Sequence, residues 1–226
     1  MKNKNYGVLN LGFIDRIINM KRLEMLNILK NNIKDCSINS FLDIGTTEEK
    51  KLESSNFFVK NFNNIKVKKS ITNQNISNEK FSACLKKSIT DDFSSDEIIK
   101  FKSDLVISSA TIEHVGNFEN QVKMVKNIVH LCNKCFFITT PYRFFPIDFH
   151  TKIPIIHMLP KNIHRKILRI LRLEDYAKEE NLNLLDLNSL KVIIEKLNNN
   201  AFKIKIMKIK LFGLTSNLLI YGEKYS

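Results

Sequence analysis

The sequence predicts an α/β protein organised on a parallel sheet, and three observations carry that prediction. Short apolar runs alternate with helical patterns from Phe41 to Thr140, the order that builds parallel strands joined by crossover helices. Two of the runs, Leu105-Val106-Ile107 and Phe136-Phe137-Ile138, are continuous and apolar, as strands buried on both faces require. The chain then closes on two consecutive strands: Phe202 to Leu211 alternates isoleucines with lysines, and Leu218 to Tyr221 follows across a turn at Gly213. With no repeat and no long low-complexity linker, the 226 residues read as one domain.

Taken in order, Met1 to Asn10 is polar. Phe13 to Ile33 places Phe13, Ile14, Ile17, Ile18, Leu26, Leu29 and Ile33 on one helical face, a packing helix within an N-terminal extension over 1–36. Phe41 and Leu42 open a buried strand that Gly45 ends, ahead of Thr46 and Thr47. Asn56 to Phe62 reads as a crossover helix or an irregular loop, and Ile65 to Ile71 alternates as a second strand, followed by Thr72, Asn73 and Gln74. Phe81 to Ile89 reads as a third strand. Asp91 and Asp92 come next, and one reading makes them caps for a helix over Ser95 to Lys100.

The stretch from Asp104 to Val115 is the most informative. An apolar strand turns small and polar at Ser108, Ser109 and Ala110, then carries Glu113 and His114 before Gly116-Asn117 breaks the chain. In open parallel sheets, ligands bind beyond the carboxyl ends of the strands, and small residues there let a ligand approach the backbone. Phe118 to Leu131 is a crossover helix with Val122, Val125, Ile128 and Val129 on one face, and Cys135 to Pro141 is a fifth strand. Residues 142–185 differ from crossover material: they are rich in aromatics, interrupted by Pro146, Pro154 and Pro160, and contain an amphipathic helix over Lys161 to Leu173. That helix sets Ile163, Ile167, Ile170 and Leu171, expected to pack on the domain, against Arg165, Arg169 and Arg172, expected to face water. Asp186 or Asn188 caps a last helix running to Leu197.

Lys and Arg total 36 against 23 Asp and Glu, a formal charge of +13. The lysines are dispersed along the chain, so the charge reads as compositional, and no nucleic-acid partner is expected. The residues after Met1 carry no secretory apolar core, so a cytoplasmic, reducing setting is expected. Cys132 and Cys135 form a C-x-x-C pair without the second pair a zinc site needs. They read as buried structural thiols straddling a helix end and a strand start. No metal constellation is visible, and no G-x-S-x-G nucleophile elbow is present.

Asp104, Val106, Ser108, Glu113, His114 and Val115 together resemble the fourth strand and following loop of class I S-adenosylmethionine-dependent methyltransferases, which often read F-D-x-V-x-S-x-x-x-x-E-H-V there. Residues 40–47 resemble the first motif of the same family, usually D-x-G-x-G, with Asp43 and Gly45 in place and no second glycine. The resemblance implies a Rossmann-like fold: a mostly parallel seven-stranded sheet, helices on both faces, and an antiparallel terminal hairpin. It implies S-adenosylmethionine as cofactor. Asp43 would orient the methionyl ammonium, Gly45, Thr46 and Ser109 would line the site, Asn73 would meet the ribose in place of the usual acid, and Asp91 or Asp92 would hold the adenine amine.

Insertions after the fifth strand often build the acceptor pocket in this family, so 142–185 is expected to cap the site. The acceptor expected is a small molecule, a glycan or a lipid-linked molecule, with the basic helix offering a peripheral membrane contact. His150, His114 and Glu113 are the candidate catalytic residues, the histidines as bases and Glu113 as a holder of a substrate hydroxyl or a tie for its loop. The missing glycines and missing ribose acid leave a second expectation open, a binding protein that keeps the fold without turnover; a nucleic-acid methyltransferase is the less favoured reading, since Ser109-Ala-Thr-Ile stands where an Asn-Pro-Pro-Tyr-like base-handling motif would follow the fourth strand.

Overall fold

A computed structural model describes residues 12–48, 55–76 and 81–225, with side chains of the first helix from residue 16 onward. The polar segment expected at residues 1–10 lies outside the described residues, as do the side chains of Phe13 and Ile14.

Seven strands form one sheet: β1 (Ser40–Ile44), β2 (Val67–Thr72), β3 (Ala83–Lys86), β4 (Ser103–Ser109), β5 (Cys132–Pro141), β6 (Phe202–Leu211) and β7 (Leu214–Lys224). Their order is β3-β2-β1-β4-β5-β7-β6. The first five run parallel, and β7 is antiparallel to both β5 and β6. The chain runs outward from β1 to β3 and then returns to β4 on the other side of β1. That reversal is the switch point beyond which open α/β sheets bind ligands.

Among the described residues there are seven α-helices: α1 (Gly12–Asn32), α2 (Phe57–Asn61), α3 (Ser95–Phe101), α4 (Phe118–His130), α5 (Lys161–Ile170), α6 (Glu174–Ala177) and α7 (Leu187–Lys196). Alternation along each central strand sends side chains to two cores. Phe41, Leu105, Ile107, Phe137 and Tyr221 face α1 and α2, meeting Met25, Leu26, Leu29 and Phe58. Leu42, Ile44, Val106, Phe136 and Ile220 face α3, α4 and α7, meeting Phe101, Val125, Ile128 and Leu190. At ~25 cal/mol per Å² of apolar surface, each of these enclosed side chains contributes about 1.5–3 kcal/mol.

Several boundaries differ from the sequence reading. β3 is shorter than Phe81–Ile89 because it is an edge strand, paired with β2 over four residues only. β7 is longer than Leu218–Tyr221 because it lies between β5 and β6, whose ladders carry polar Thr215, Ser216 and Asn217 into the sheet. Neither Asp91 nor Asp92 caps α3: Ser94 does, in a reciprocal capping box with Glu97. Asp186, one of two expected caps, does cap α7 through the Ser189 amide. Cys132 and Cys135 both lie in β5 rather than across a helix end, and they face opposite cores. Burial pushes the Cys135 thiol up to about 12 and Cys132 further, which removes both from thiolate chemistry.

Candidate functional site

The carboxyl edge of β1 is tied down by hydroxyls. Thr46, buried directly after Gly45, donates to the Asp43 carboxylate at 2.5 Å and accepts from Ser70 at 2.7 Å. Thr72 donates to the Thr46 carbonyl at 2.7 Å. The Asn56 amide clasps Thr47 from both sides, accepting from its N–H and donating to its C=O. Asp43 is itself buried, and burial pushes its carboxyl up to about 6 against the opposing hydrogen bond from Thr46.

Gly45 has a structural reason besides ligand approach. It sits at φ +89°, and a Cβ there would lie 2.3 Å from Thr111 Oγ1 in the loop after β4. The β1 and β4 loops therefore touch across the switch point, and Thr111 reaches the Ile44 carbonyl at 3.3 Å. Ser109 lies at the end of β4 with its hydroxyl 3.1 Å from Thr139 on β5. Ala110 follows with a left-handed φ of +52° and donates its N–H to the Thr139 carbonyl.

The remaining expected cofactor residues stand further out. Asn73 is exposed beyond β2, and it is Gln74 whose side chain accepts from the Glu48 N–H. The Asp91 carboxylate closes its own turn by accepting from Ser88, and Asp92 pairs with Lys123 on α4 at 2.8 Å.

Residues 142–185 lie at this same carboxyl edge. Arg143 donates to the Leu185 carbonyl, and Asn183 donates to the Glu113 carbonyl at 2.7 Å. The buried Gln121 amide of α4 bonds both Ile112 and Asn183. Helix α5 turns His164 and Leu168 inward, leaving Ile163, Ile170 and Leu171 at 45%, 72% and 47% exposure. That overturns the expectation that its apolar face packs on the domain. Arg143, His157, Lys161, His164 and Arg165 line a small basic depression in this segment.

Glu113, His114 and His150 meet where the two loops join. Glu113 is fully buried, and its Oε2 accepts from Thr140 at 2.9 Å. His114 points Nδ1 at the Asn181 carbonyl, 2.6 Å away. His150 points Nδ1 at Asp148, 3.1 Å away, and the two Nε2 atoms face each other at 3.1 Å. Burial opposes charge on His150, but its contacts with Asp148 and Glu113 outweigh it and push the ring up to about 10. Burial, together with the charge of His150, holds His114 below its ordinary value. Burial would raise Glu113, and the two histidines reverse that and hold it low. Arg22 of α1, lowered to about 10 by burial, also feels the Glu113 charge.

Asp148 was missed as a site residue. Its two oxygens accept from the His150 and Thr151 amides and the Thr151 hydroxyl, so it closes a tight turn as well as orienting the ring. An aspartate two residues before a histidine was the available signal.

No protein-family profile and no curated protein matches the chain. Solved structures do resemble it. The N-methyltransferase NodS from Bradyrhizobium japonicum WM9, in complex with S-adenosyl-L-homocysteine, is 10% identical, with a TM-score of 0.53 over 91% of this chain and 87% of that one. The small RNA methyltransferase HEN1 is 13% identical, with a TM-score of 0.56 over 91% of this chain and 25% of that one. A Rhodobacter sphaeroides chain provisionally assigned as a zinc-dependent alcohol dehydrogenase is 10% identical, with a TM-score of 0.59 over 88% of each chain. At these identities the likeness shows the fold. It is the Rossmann-like class I methyltransferase fold, with its mostly parallel seven-stranded sheet and antiparallel terminal strands.

Proposed function

We propose that this chain is an S-adenosylmethionine-dependent methyltransferase that binds its cofactor in the β1/β4 crevice and its acceptor under residues 142–185. The observation that carries the reading is Asp43. It is a buried acid at the switch point with a hydroxyl donor and, among the described residues, no cation paired with it. Such a group suits a ligand that brings its own positive charge, as the methionyl ammonium does. Crystallised S-adenosyl-L-homocysteine in a protein of the same fold supports the choice of ligand.

Transfer is an in-line displacement: the acceptor attacks the methyl carbon and the carbon–sulfur pair returns to sulfur. Alignment of the two reactants supplies much of the rate. On this reading the acceptor is a small, glycan or lipid-linked molecule, with the basic depression near Asn183 suited to an anionic part of it. The exposed Ile163, Ile170 and Leu171 beside Lys166, Arg169 and Arg172 favour work at an anionic lipid surface. A thermal-shift titration with S-adenosylhomocysteine tests the cofactor assignment. Saturating ligand at a hundred times its Kd should stabilise the fold by about 2.7 kcal/mol, and an unmoved melting curve would count against the proposal. Binding without methyl transfer to any acceptor would favour the reading of a binding protein that keeps the fold.

A further inference from the structure

Glu113, His114 and His150 aim three ligand atoms at one volume. The two Nε2 atoms are 3.1 Å apart, His150 Nε2 is 3.6 Å from Glu113 Oε1, and all three atoms lie within 4.8 Å of one another. The other end of each side chain is already committed: Glu113 Oε2 to Thr140, His114 Nδ1 to the Asn181 carbonyl, and His150 Nδ1 to Asp148. Both rings therefore donate from Nδ1, and both Nε2 atoms face inward.

A single proton on His150 Nε2 satisfies His114. It leaves Glu113 Oε1 wholly buried and without a hydrogen-bond partner, because 3.6 Å is beyond hydrogen-bonding range. An orphaned buried acceptor is costly. A divalent cation satisfies all three atoms at once. Two ligands at about 2.1 Å from a tetrahedral zinc stand about 3.4 Å apart, and the observed 3.1 and 3.6 Å bracket that spacing. A carboxylate or carbonyl behind each ligating imidazole is the arrangement that fixes its tautomer in metal sites.

We propose that Glu113, His114 and His150 form a binding site for a divalent transition-metal ion. Two imidazoles with one carboxylate favour zinc, cobalt, iron or manganese over magnesium and calcium, which take oxygen ligands. Three protein ligands leave at least one position open. The role of that position rests on the methyltransferase reading: it takes a hydroxyl oxygen of the acceptor. Coordination lowers the hydroxyl pKa, its proton passes to water, and the oxygen attacks the methyl carbon while the carbon–sulfur pair goes to sulfur. The sequence names these three residues but hides their convergence, because His150 is 36 positions from His114.

The test uses the full chain stripped with a chelator and titrated with Co²⁺. The expected result is one equivalent bound, with visible ligand-field bands and no thiolate charge-transfer band, since the cysteines stand outside the set. His114→Ala combined with His150→Ala should abolish the bands, with near-ultraviolet circular dichroism reporting the fold. If that double variant does not fold, histidine ring nitrogen spectra of the wild-type chain with Zn²⁺ decide the question: two Nε2 resonances should shift together at one equivalent. No saturable Co²⁺ signal, unmoved Nε2 resonances, or bands that persist in a folded double variant would overturn the proposal. S-adenosylhomocysteine binding is read separately, so metal binding without it keeps the site and removes only its assigned role.

Discussion

Asp43→Asn offers a perturbation whose two effects run in opposite directions. Burial raises the Asp43 carboxyl from 3.8 to about 6 in the folded chain. The native state therefore holds this proton more tightly than the unfolded state. As pH rises from about 4 to about 6 the unfolded chain releases the proton first, so the wild-type protein loses stability across that window and stays at the lower level above it. Two pKa units at about 1.4 kcal/mol each put the loss at about 3 kcal/mol. Asparagine has no such proton and can still accept from Thr46. The variant should match wild type below pH 4 and exceed it above pH 6 by up to about 3 kcal/mol, or roughly 6–12 °C in Tm for a chain of this size. The same change should weaken S-adenosylhomocysteine binding at least tenfold, because the ammonium loses its counter-charge. Melting curves from pH 4 to 8 with and without ligand measure both effects. A variant less stable than wild type at pH 7 would refute the reasoning, since it would mean the ionised carboxylate is well served by its surroundings.

Other perturbations probe neighbouring parts of the account. Gly45→Ala should destabilise by about 1–3 kcal/mol in urea denaturation, because its Cβ meets Thr111; adding Thr111→Ala should recover part of that loss, the φ strain remaining. Asp148→Asn should lower Co²⁺ affinity by about 10–100-fold through loss of the support for His150, with circular dichroism unchanged. On α5, Leu168→Ala should cost about 2–5 kcal/mol, whereas Ile170→Glu with Leu171→Glu should change stability by less than about 1 kcal/mol and reduce sedimentation with anionic vesicles. Equal vesicle binding by that pair and by wild type would remove the membrane reading.

The central sheet was legible because its strands are apolar on both faces, so Leu105 to Ile107 and Phe136 to Ile138 stand out whatever the flanking loops do. The end of β7 was not, because Thr215 to Asn217 enter the sheet through backbone pairing with β5 and β6 rather than through side-chain pattern. Amphipathicity located α5 but gave the wrong inward face: the fold buries His164 and Leu168, and periodicity does not say which side meets a core. At the site, Glu113 and His114 were conspicuous as neighbours in one loop. His150 was named as well, but its meeting with them was not legible, and Asp148, Asn181 and Asn183 were missed, since Asp148 sits in a later turn and the two asparagines contribute through backbone as well as side-chain atoms. Gly45 was read as room for a ligand, and its contact with Thr111 depends on two loops 60 or more residues apart closing over each other.

The central claim is that the β1/β4 crevice holds an S-adenosylmethionine-type ligand against Asp43. Calorimetric titration of the intact chain with S-adenosylhomocysteine at pH 5, 6, 7 and 8 tests it most directly. The account predicts one site per chain, an affinity level above about pH 6, and a fall of about tenfold per unit below it as Asp43 takes up its proton. A folded chain that gives no binding heat at any of these pH values, or one whose affinity is the same at pH 5 and pH 8 and in Asp43→Asn, would contradict it.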